Sequence, residues 1–551
     1  FHGSAYEYFR HDQLDARSFF APEEPRLRYN LFGASLGGPI RRNKAHFFFT
    51  YEGLRRNNPR TRILNIPDLA ETRGDFSRSA TIIRDPQAAG RPPFPRNIIP
   101  ADRLDPVGAK IATFYPEPNV AGRPSGDANF VRNQGLKQDT ETYIGRLDYS
   151  HTANDRIFGR LLASDLGQHI LPVFSAAGLD PFETFNKQKR YNASATWLHH
   201  FAPAIINELR FTFSNSTGEV RPAGLDLGLA EQIGIRGTNP AFPPQINMGP
   251  RFQALGVGGG YHNGPMRHSQ LTETVTYIRG SHAIKLGYEW RPNAARYAVR
   301  GQAGGSFSFG EAATGNSVAS LLLGWVQQGV RNETLPGRVR SLTMSGFVQD
   351  DWLVSSRLSL NLGLRWDWDQ PRWEELGNRQ NSFDRYAINP VSGTPGVVAF
   401  SGRNGVSKFA HRHDWNNFGP RIGFAWRAAE NWVVRGGGAL VYAGEYAAAF
   451  GGGVSPTLGF SINGTFQTPD GGLTPPFLLR NGLPAIQTPT EADLTPGFGA
   501  VQAGRIPTTA VQFYDPDRRT GYLETFNFNI QRKFTNDLMA EIGYLGTLGH
   551  K

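Results

Sequence analysis

The segment from Ser356 to Asp369, SRLSLNLGLRWDWD, places Leu358, Leu360, Leu362, Leu364, Trp366 and Trp368 at the even positions. Ser359, Asn361, Gly363, Arg365, Asp367 and Asp369 take the odd ones. A period of two held without a slip describes a β-strand with one apolar and one polar face. The aliphatic residues precede the two tryptophans, the order expected when hydrocarbon contact gives way to an interface where amphipathic rings settle. At about 3.3 Å per residue and a tilt near 45°, such a strand climbs roughly 25 Å, the height of a lipid-exposed band. A long strand of a soluble sandwich would look the same. Recurrence separates the two readings.

The pattern recurs about fifteen times. Strands are expected at Gly3–Phe9, Arg28–Leu36, Ala45–Glu52, Gln138–Ser150, Arg156–Ser164, Lys189–Phe201, Ile206–Ser214, Gln270–Ile278 and Ala283–Trp290. They continue at Arg340–Trp352, the opening segment, Asn417–Trp426, Asn431–Tyr442, Leu523–Phe534 and Leu538–Leu545. Links such as HTAND (151–155), RGSH (279–282), RAAE (427–430) and TND (535–537) are short. They alternate with long Gly- and Pro-rich stretches, notably Gly53–Lys137, Ser216–Met266, Asp369–Asp414 and Ala443–Thr520. Short turns at one end and long loops at the other describe an all-β, antiparallel transmembrane β-barrel with short periplasmic turns and long extracellular loops. Lipid tolerates no unpaired backbone polar groups, so such a sheet has to close. An odd number of strands points to further strands beyond Lys551, and the start at Phe1 within a strand points to a fragment of a longer precursor.

Composition supports this frame. Hydrophobic residues make up 39% of the 551 residues, yet no apolar run approaches the length of a membrane-spanning helix, the longest being SVASLLLGWV at 317–326. The absence of cysteine removes thiol catalysis, cysteine-ligated zinc and disulfides together. The formal charge of +11 arises from 58 Lys+Arg against 47 Asp+Glu. A basic surface spread over loops is its simplest source; contact with lipopolysaccharide phosphates or attraction of anionic solutes is the functional alternative. The basic residues do not cluster on one helix or on a nucleic-acid-binding motif, so no nucleic acid is expected as a partner.

The remaining motifs lack the signatures of catalysis. His411, His413 and Asp414 (HRHD) put two imidazoles at i and i+2, but no third ligand follows, so no metal is expected. Gly258–Gly260 and Gly436–Gly438 lack the strand–turn–helix context of a phosphate loop, and the second cluster, inside a strand, fits bending or close approach of a plug. Asp350 and Asp351 are adjacent in a strand and point to opposite faces, so they do not form an acid/base pair. The reading is not an enzyme, and no cofactor is implied. The polar strand faces carry Arg146, Asp148, Arg160, Glu208, Arg210, Lys285, Glu289, Arg365, Asp367 and Asp369, a candidate lumen lining. Trp197, Trp290, Trp366, Trp368, Trp426, Trp432 and Tyr442 are candidate membrane-interface aromatics. Arg in place of Leu362 is expected to cost roughly 2–4 kcal/mol, and Arg in place of Asn361 far less.

Several motifs spread over the whole chain resemble those of Oar-like TonB-dependent outer-membrane receptors. They are FHGSAYEYFR (1–10), FGASLGGPIRRNKAHFFFTYEG (32–53), IPADRLDPVGAKIATFYPEPN (99–119), GRLDYSHTANDRIFGRLLASD (145–165), SGFVQDDWLVSSRLSLNLGLRWD (345–367), NNFGPRIGFAWR (416–427) and IGYLGTLGHK (542–551). The resemblance implies a barrel of about 22 strands, preceded by a regulatory-like β-sandwich and a plug. This chain would be a partial barrel domain lacking both, together with the C-terminal strands. It further implies the outer membrane of a diderm bacterium, with outer-membrane lipid and lipopolysaccharide around the wall. The TonB–ExbB–ExbD system would act through the missing plug. The expected activity is energised uptake of a solute, with a carbohydrate, a peptide or a metal chelate as open alternatives. A surface adhesion protein anchored by its barrel, and a passive porin, are the competing readings.

Overall fold

The computed structural model describes residues 1–17, 19, 24, 26–174, 178–257, 261–299, 301–444, 458–499 and 515–550; Gly258–Gly260 lie outside them. Fifteen consecutive strands form one antiparallel meander: β1 (His2–His11), β2 (Arg28–Arg41), β3 (Ala45–Asn57), β4 (Leu136–Ser150), β5 (Asp155–Ile170), β6 (Thr184–Ala202), β7 (Ile205–Pro222) and β8 (Tyr261–Arg279). The path continues through β9 (His282–Val299), β10 (Gly337–Ser355), β11 (Leu358–Asp369), β12 (Phe418–Ala429), β13 (Trp432–Tyr442), β14 (Tyr522–Lys533) and β15 (Met539–His550). A two-residue strand, Trp373–Glu374, pairs with β10 and brings the sheet to 16 strands.

Every second connection is a tight turn, at 42–44, 151–154, 203–204, 280–281, 356–357, 430–431 and 534–538. Local chemistry makes these turns. Asn43 adopts a positive φ of 58°, and the Thr152 hydroxyl accepts from the backbone N–H groups of Asn154 and Asp155 at 3.1 and 3.0 Å. The register then fixes the faces. Leu364 lies opposite Val348 and Pro420, while Arg365 lies opposite Phe347 and Gly419.

Several strands run beyond the expected ends. β7 was expected over 206–214 but extends to Pro222, paired with Thr184–Arg190 of β6. In Thr217–Arg221 the parity that carries Leu209, Phe211 and Phe213 carries Thr217, Glu219 and Arg221 instead, so the apolar stripe ends although the ladder persists. Above a lipid band neither face needs to be apolar, and the sequence signal for a strand disappears with that need.

The hydrophobic core lies almost wholly outside the wall. Phe76, Ile83, Ile111, Phe174, Ile246 and Phe309, all fully buried, come from connections 58–135, 171–183, 223–260 and 300–336 and pack into one cluster with Leu479. Three helices serve it: α1 (Pro106–Ala112), α2 (Leu229–Ile233) and α3 (Ser317–Leu322). α1 is capped by Asp105, whose Oδ1 accepts from the N–H groups of Val107 and Gly108 at 3.0 and 3.1 Å. Gly108 is where α1 meets α3: a Cβ there would lie 2.0 Å from the Leu321 carbonyl oxygen, so only glycine permits this approach. Every residue of α3 is buried, which explains the apolar run at 317–326. Short strands Gln245–Asn247, Ser306–Ser308, Gln328–Thr334 and Ser461–Gln467, drawn from three connections, form a separate four-stranded sheet. The long connections, expected to be largely irregular, therefore make a packed canopy. Among the described residues no helix is long and apolar enough to cross a membrane.

Candidate functional site

The cross-strand register carries the sequence candidates onto a common face. Arg146 lies opposite Arg160, Arg160 opposite Ser194, and Ser194 opposite Thr212. One row further, Arg210, Thr272, Glu289, Ser345 and Asp367 are successive cross-strand partners across β7 to β11. All ten polar candidates occupy this face, but only some of them meet. Arg146 donates to Asp148 through Nε and Nη2 at 2.7 Å each, and Arg210 donates to Glu208 at 2.6 Å. The densest network centres on Glu289, which receives Gln270 at 3.1 Å and sits 3.4 and 3.5 Å from the guanidinium groups of Arg291 and Arg365. Arg365 also donates to Asp367 at 2.8 Å, while the hydroxyls of Ser345 and Thr343 donate to Asp367 and Asp369 at 2.7 and 2.6 Å. No ion-pair partner is recorded for Lys285 among the described residues, and it lies opposite Gln349.

Gln270, Arg291, Thr343 and Ser345 were not singled out from sequence. Gln270, Thr343 and Ser345 hold polar-face parity in their expected strands but carry no charge, whereas Arg291 lies one residue past the expected strand end at Trp290. Arg421, charged and inside the expected strand Asn417–Trp426, was not singled out either. It lines a cavity of about 280 Å³ on the polar face with Gln349, Asn361, Thr525 and Asn527, across the glycines Gly363, Gly423 and Gly437. Missing side chains create this hollow. Gly436, by contrast, lies beneath the Phe424 ring, whose Cε1 would be 2.7 Å from a Cβ there. The two glycines of this cluster thus serve opposite faces.

The seven candidate interface aromatics share the other face, in two tiers. Trp197, Trp426 and Trp432 stand near the tight turns, and Trp290, Trp366, Trp368 and Tyr442 near the long connections. Trp432 and Tyr442 bracket the 11 residues of β13, which at about 3.3 Å per residue and a tilt near 40° separates them by roughly 25 Å in height. The expectation that Trp368 touches lipid is not met. The ring is only 6% exposed and stacks on Trp415 at 4.3 Å and on His413 at 5.6 Å. Trp415, 54% exposed, takes the outer position and accepts the Trp366 indole N–H on its carbonyl at 2.8 Å. It was unreadable as an interface residue because it lies in a connection, not a strand. Trp352, stacked on His282 at 5.1 Å, is a further apolar-face aromatic near a tight turn. Asp350 on that face faces His282 at 2.7 Å, while Asp351 on the polar face accepts from Asn361, so the two carboxylates diverge.

Within the HRHD motif Asp414 has a structural role. Asp414 is buried and accepts from Arg519 at 3.0 Å and from the Thr520 backbone N–H at 2.9 Å, tying two connections together. Burial among rings, reinforced by neighbouring His411, pushes the His413 imidazole below its ordinary pKa. Among the described residues no three His, Cys, Asp or Glu side chains converge on a metal position. Next to this motif the canopy holds its own cavity, of about 660 Å³, lined by Asp384, Arg385, Tyr386, His411, Arg412 and Asp517 among others. Elsewhere in the canopy Glu71 is buried and receives the Ser125 hydroxyl, and desolvation pushes its carboxyl above the ordinary range. Both cavities offer mixed donors, acceptors and charges, which is recognition chemistry rather than a nucleophile with its base.

A family model described as "Outer membrane beta barrel domain" matches residues 1–551. Comparison with curated proteins finds no match. Among solved structures, the outer membrane transporter YddB from Escherichia coli shares 10% identity at a TM-score of 0.48, over 96% of this chain and 47% of that one. The siderophore receptor PirA from Acinetobacter baumannii shares 10% identity at a TM-score of 0.41, over 99% of this chain and 52% of that one. The ferric yersiniabactin uptake receptor FyuA from Yersinia pestis shares 8% identity at a TM-score of 0.40, over 94% and 52%. The chain spans about half the length of these structures.

Proposed function

Because the chain belongs to the outer membrane β-barrel domain family, resident in the outer membrane of Gram-negative bacteria, we propose that it is the barrel part of an Oar-like TonB-dependent receptor that captures a solute and passes it inward with energy from the inner membrane. On this reading the polar face is the lumen wall, and the Glu289–Arg365–Asp367 network steadies a plug. The TonB–ExbB–ExbD system acts through that plug, and the barrel is completed to about 22 strands by segments outside this chain.

The observation that carries the reading is the canopy. Connections packed around a large apolar cluster with its own four-stranded sheet, and beside it a smaller cluster of Val398, Phe400, Phe460 and Leu494 in the region that holds a cavity of about 660 Å³, form an ordered cover over the long-loop end. A passive pore needs no such cover, whereas a receptor needs a built surface to discriminate its cargo. The competing adhesion reading uses the same canopy without transport.

Cells expressing the full-length protein, offered labelled carbohydrates, peptides and metal chelates in turn, should accumulate one class, and a protonophore should abolish that accumulation. Accumulation unaffected by the protonophore would leave a porin. Loss of cell contact on deletion of 370–417, with accumulation intact, would leave an adhesin.

A further inference from the structure

Just above the apolar band on the outer surface lies a hollow of about 460 Å³ walled by Arg267, Arg296, Arg338 and Arg340. Its level follows from the register. On β9 the apolar face reads Leu286, Tyr288, Trp290, then Pro292, Ala294 and Arg296, passing from aliphatic to aromatic to cationic. Arg340 lies opposite Ala294, and Arg338 opposite Arg296; Arg267 lies opposite Ala294 from the other side. On β8 the residues Ser269–Ile278 suffice for a tilted span of nine to eleven residues, so Arg267 is the next outward-facing residue past it.

Arg296 and Arg338 are directly opposed like charges on one face, an arrangement that costs stability unless an anion sits between them. Glu375 compensates one edge only, at 3.0 Å from Arg338 and 2.7 Å from Arg340. Arg267 and Arg296 are exposed, and no ion-pair partner is recorded for either among the described residues. The buried Nε of Arg340 has no hydrogen-bond partner. Among the described residues no carboxylate lines the hollow, while Phe213, Pro265 and Pro292 form its apolar margin. A guanidinium set of this kind matches phosphate in geometry and charge.

We propose that this hollow holds a phosphate of an acylated glycolipid, the lipopolysaccharide of the outer leaflet. The acyl chains would run down the apolar face past Phe213 and Trp290. The position beside the lipid band favours this source over free phosphate, because only a ligand with its own chains uses both the guanidinium groups and the apolar margin. The inference rests on the outer-membrane reading of the barrel. It explains why part of the excess basic charge is gathered on the outer wall.

The test uses the full-length protein extracted from outer membranes, titrated with bisphosphorylated lipid A, with phosphate-stripped lipid A and with inorganic phosphate. The double variant R267Q/R296Q leaves the Arg338–Glu375–Arg340 group in place. The wild type should bind bisphosphorylated lipid A roughly ten- to thirty-fold more tightly than either the stripped lipid or the double variant's complex. Inorganic phosphate at millimolar concentration should not displace it. Equal binding of stripped lipid by the wild type, undiminished binding by the double variant, or displacement by inorganic phosphate alone would each overturn the proposal. Heat-modifiable gel migration is read in parallel: its loss in the wild type would sink the barrel, whereas its retention assigns any lipid-binding failure to this site.

Discussion

Wall and canopy use the same apolar residue types in opposite ways. Leu147, Leu286 and Ile422 stand on the wall at 58%, 50% and 62% exposure, whereas Ile66, Phe76 and Phe307 in the canopy are wholly covered. The wall alternates apolar and polar residues along each strand because its solvent changes from one face to the other. The canopy has water outside and buries its apolar groups centrally, without regard to a period of two. Each region is stable only in its own solvent, which should make their responses to substitution separable.

The largest expected separation comes from the canopy core. Phe76→Ala should cost about 3–5 kcal/mol of canopy stability, seen as faster hydrogen exchange across 58–135, with heat-modifiable migration unchanged. Loss of that migration would show that wall and canopy fold as one unit.

The complementary change belongs to the wall. Leu364→Arg, between Val348 and Pro420 on the apolar face, should lower barrel stability by roughly 2–4 kcal/mol in lipid. The structure sharpens the expectation for Leu362: it lies opposite Asp350, so an arginine there gains a carboxylate partner and should cost less than at Leu364. Asn361→Arg, on the polar face, should cost least of the three. Equal costs at 361 and 364, measured by urea unfolding in lipid vesicles, would mean that the faces are misassigned.

Removing Trp415 probes the seam between the regions. Trp415→Ala should uncover Trp368, shifting tryptophan emission to longer wavelength, and should cost about 0.5–1.5 kcal/mol for the lost ring contacts. An unchanged spectrum would separate the canopy from the upper aromatic tier.

The smallest effect is one of pH. Burial raises the Glu71 pKa above its unfolded value, so its protonated form favours the folded canopy. That contribution is present below the ordinary glutamate pKa of about 4.3 and is lost as pH rises through the elevated folded value. Glu71→Gln should therefore protect 58–135 from exchange slightly better than wild type at neutral pH, with the difference vanishing near pH 4. A difference that grows on acidification would reverse the assignment.

By itself the sequence determined the wall. The unbroken alternation from Leu358 to Asp369, and the contrast between turns such as 280–281 and connections such as 58–135, are enough for strand order, antiparallel pairing and the face of each polar candidate, because lipid on one side leaves a strict period of two. Only the tertiary structure decided the rest. The Glu289 network, the hollow beside Arg421, the covering of Trp368 by Trp415, the arginine cluster on the outer wall and the contact of Gly108 with Leu321 all join residues that are distant along the chain. In water-facing loops any sequence order that delivers apolar groups to the centre will serve. No local period records which partners meet there.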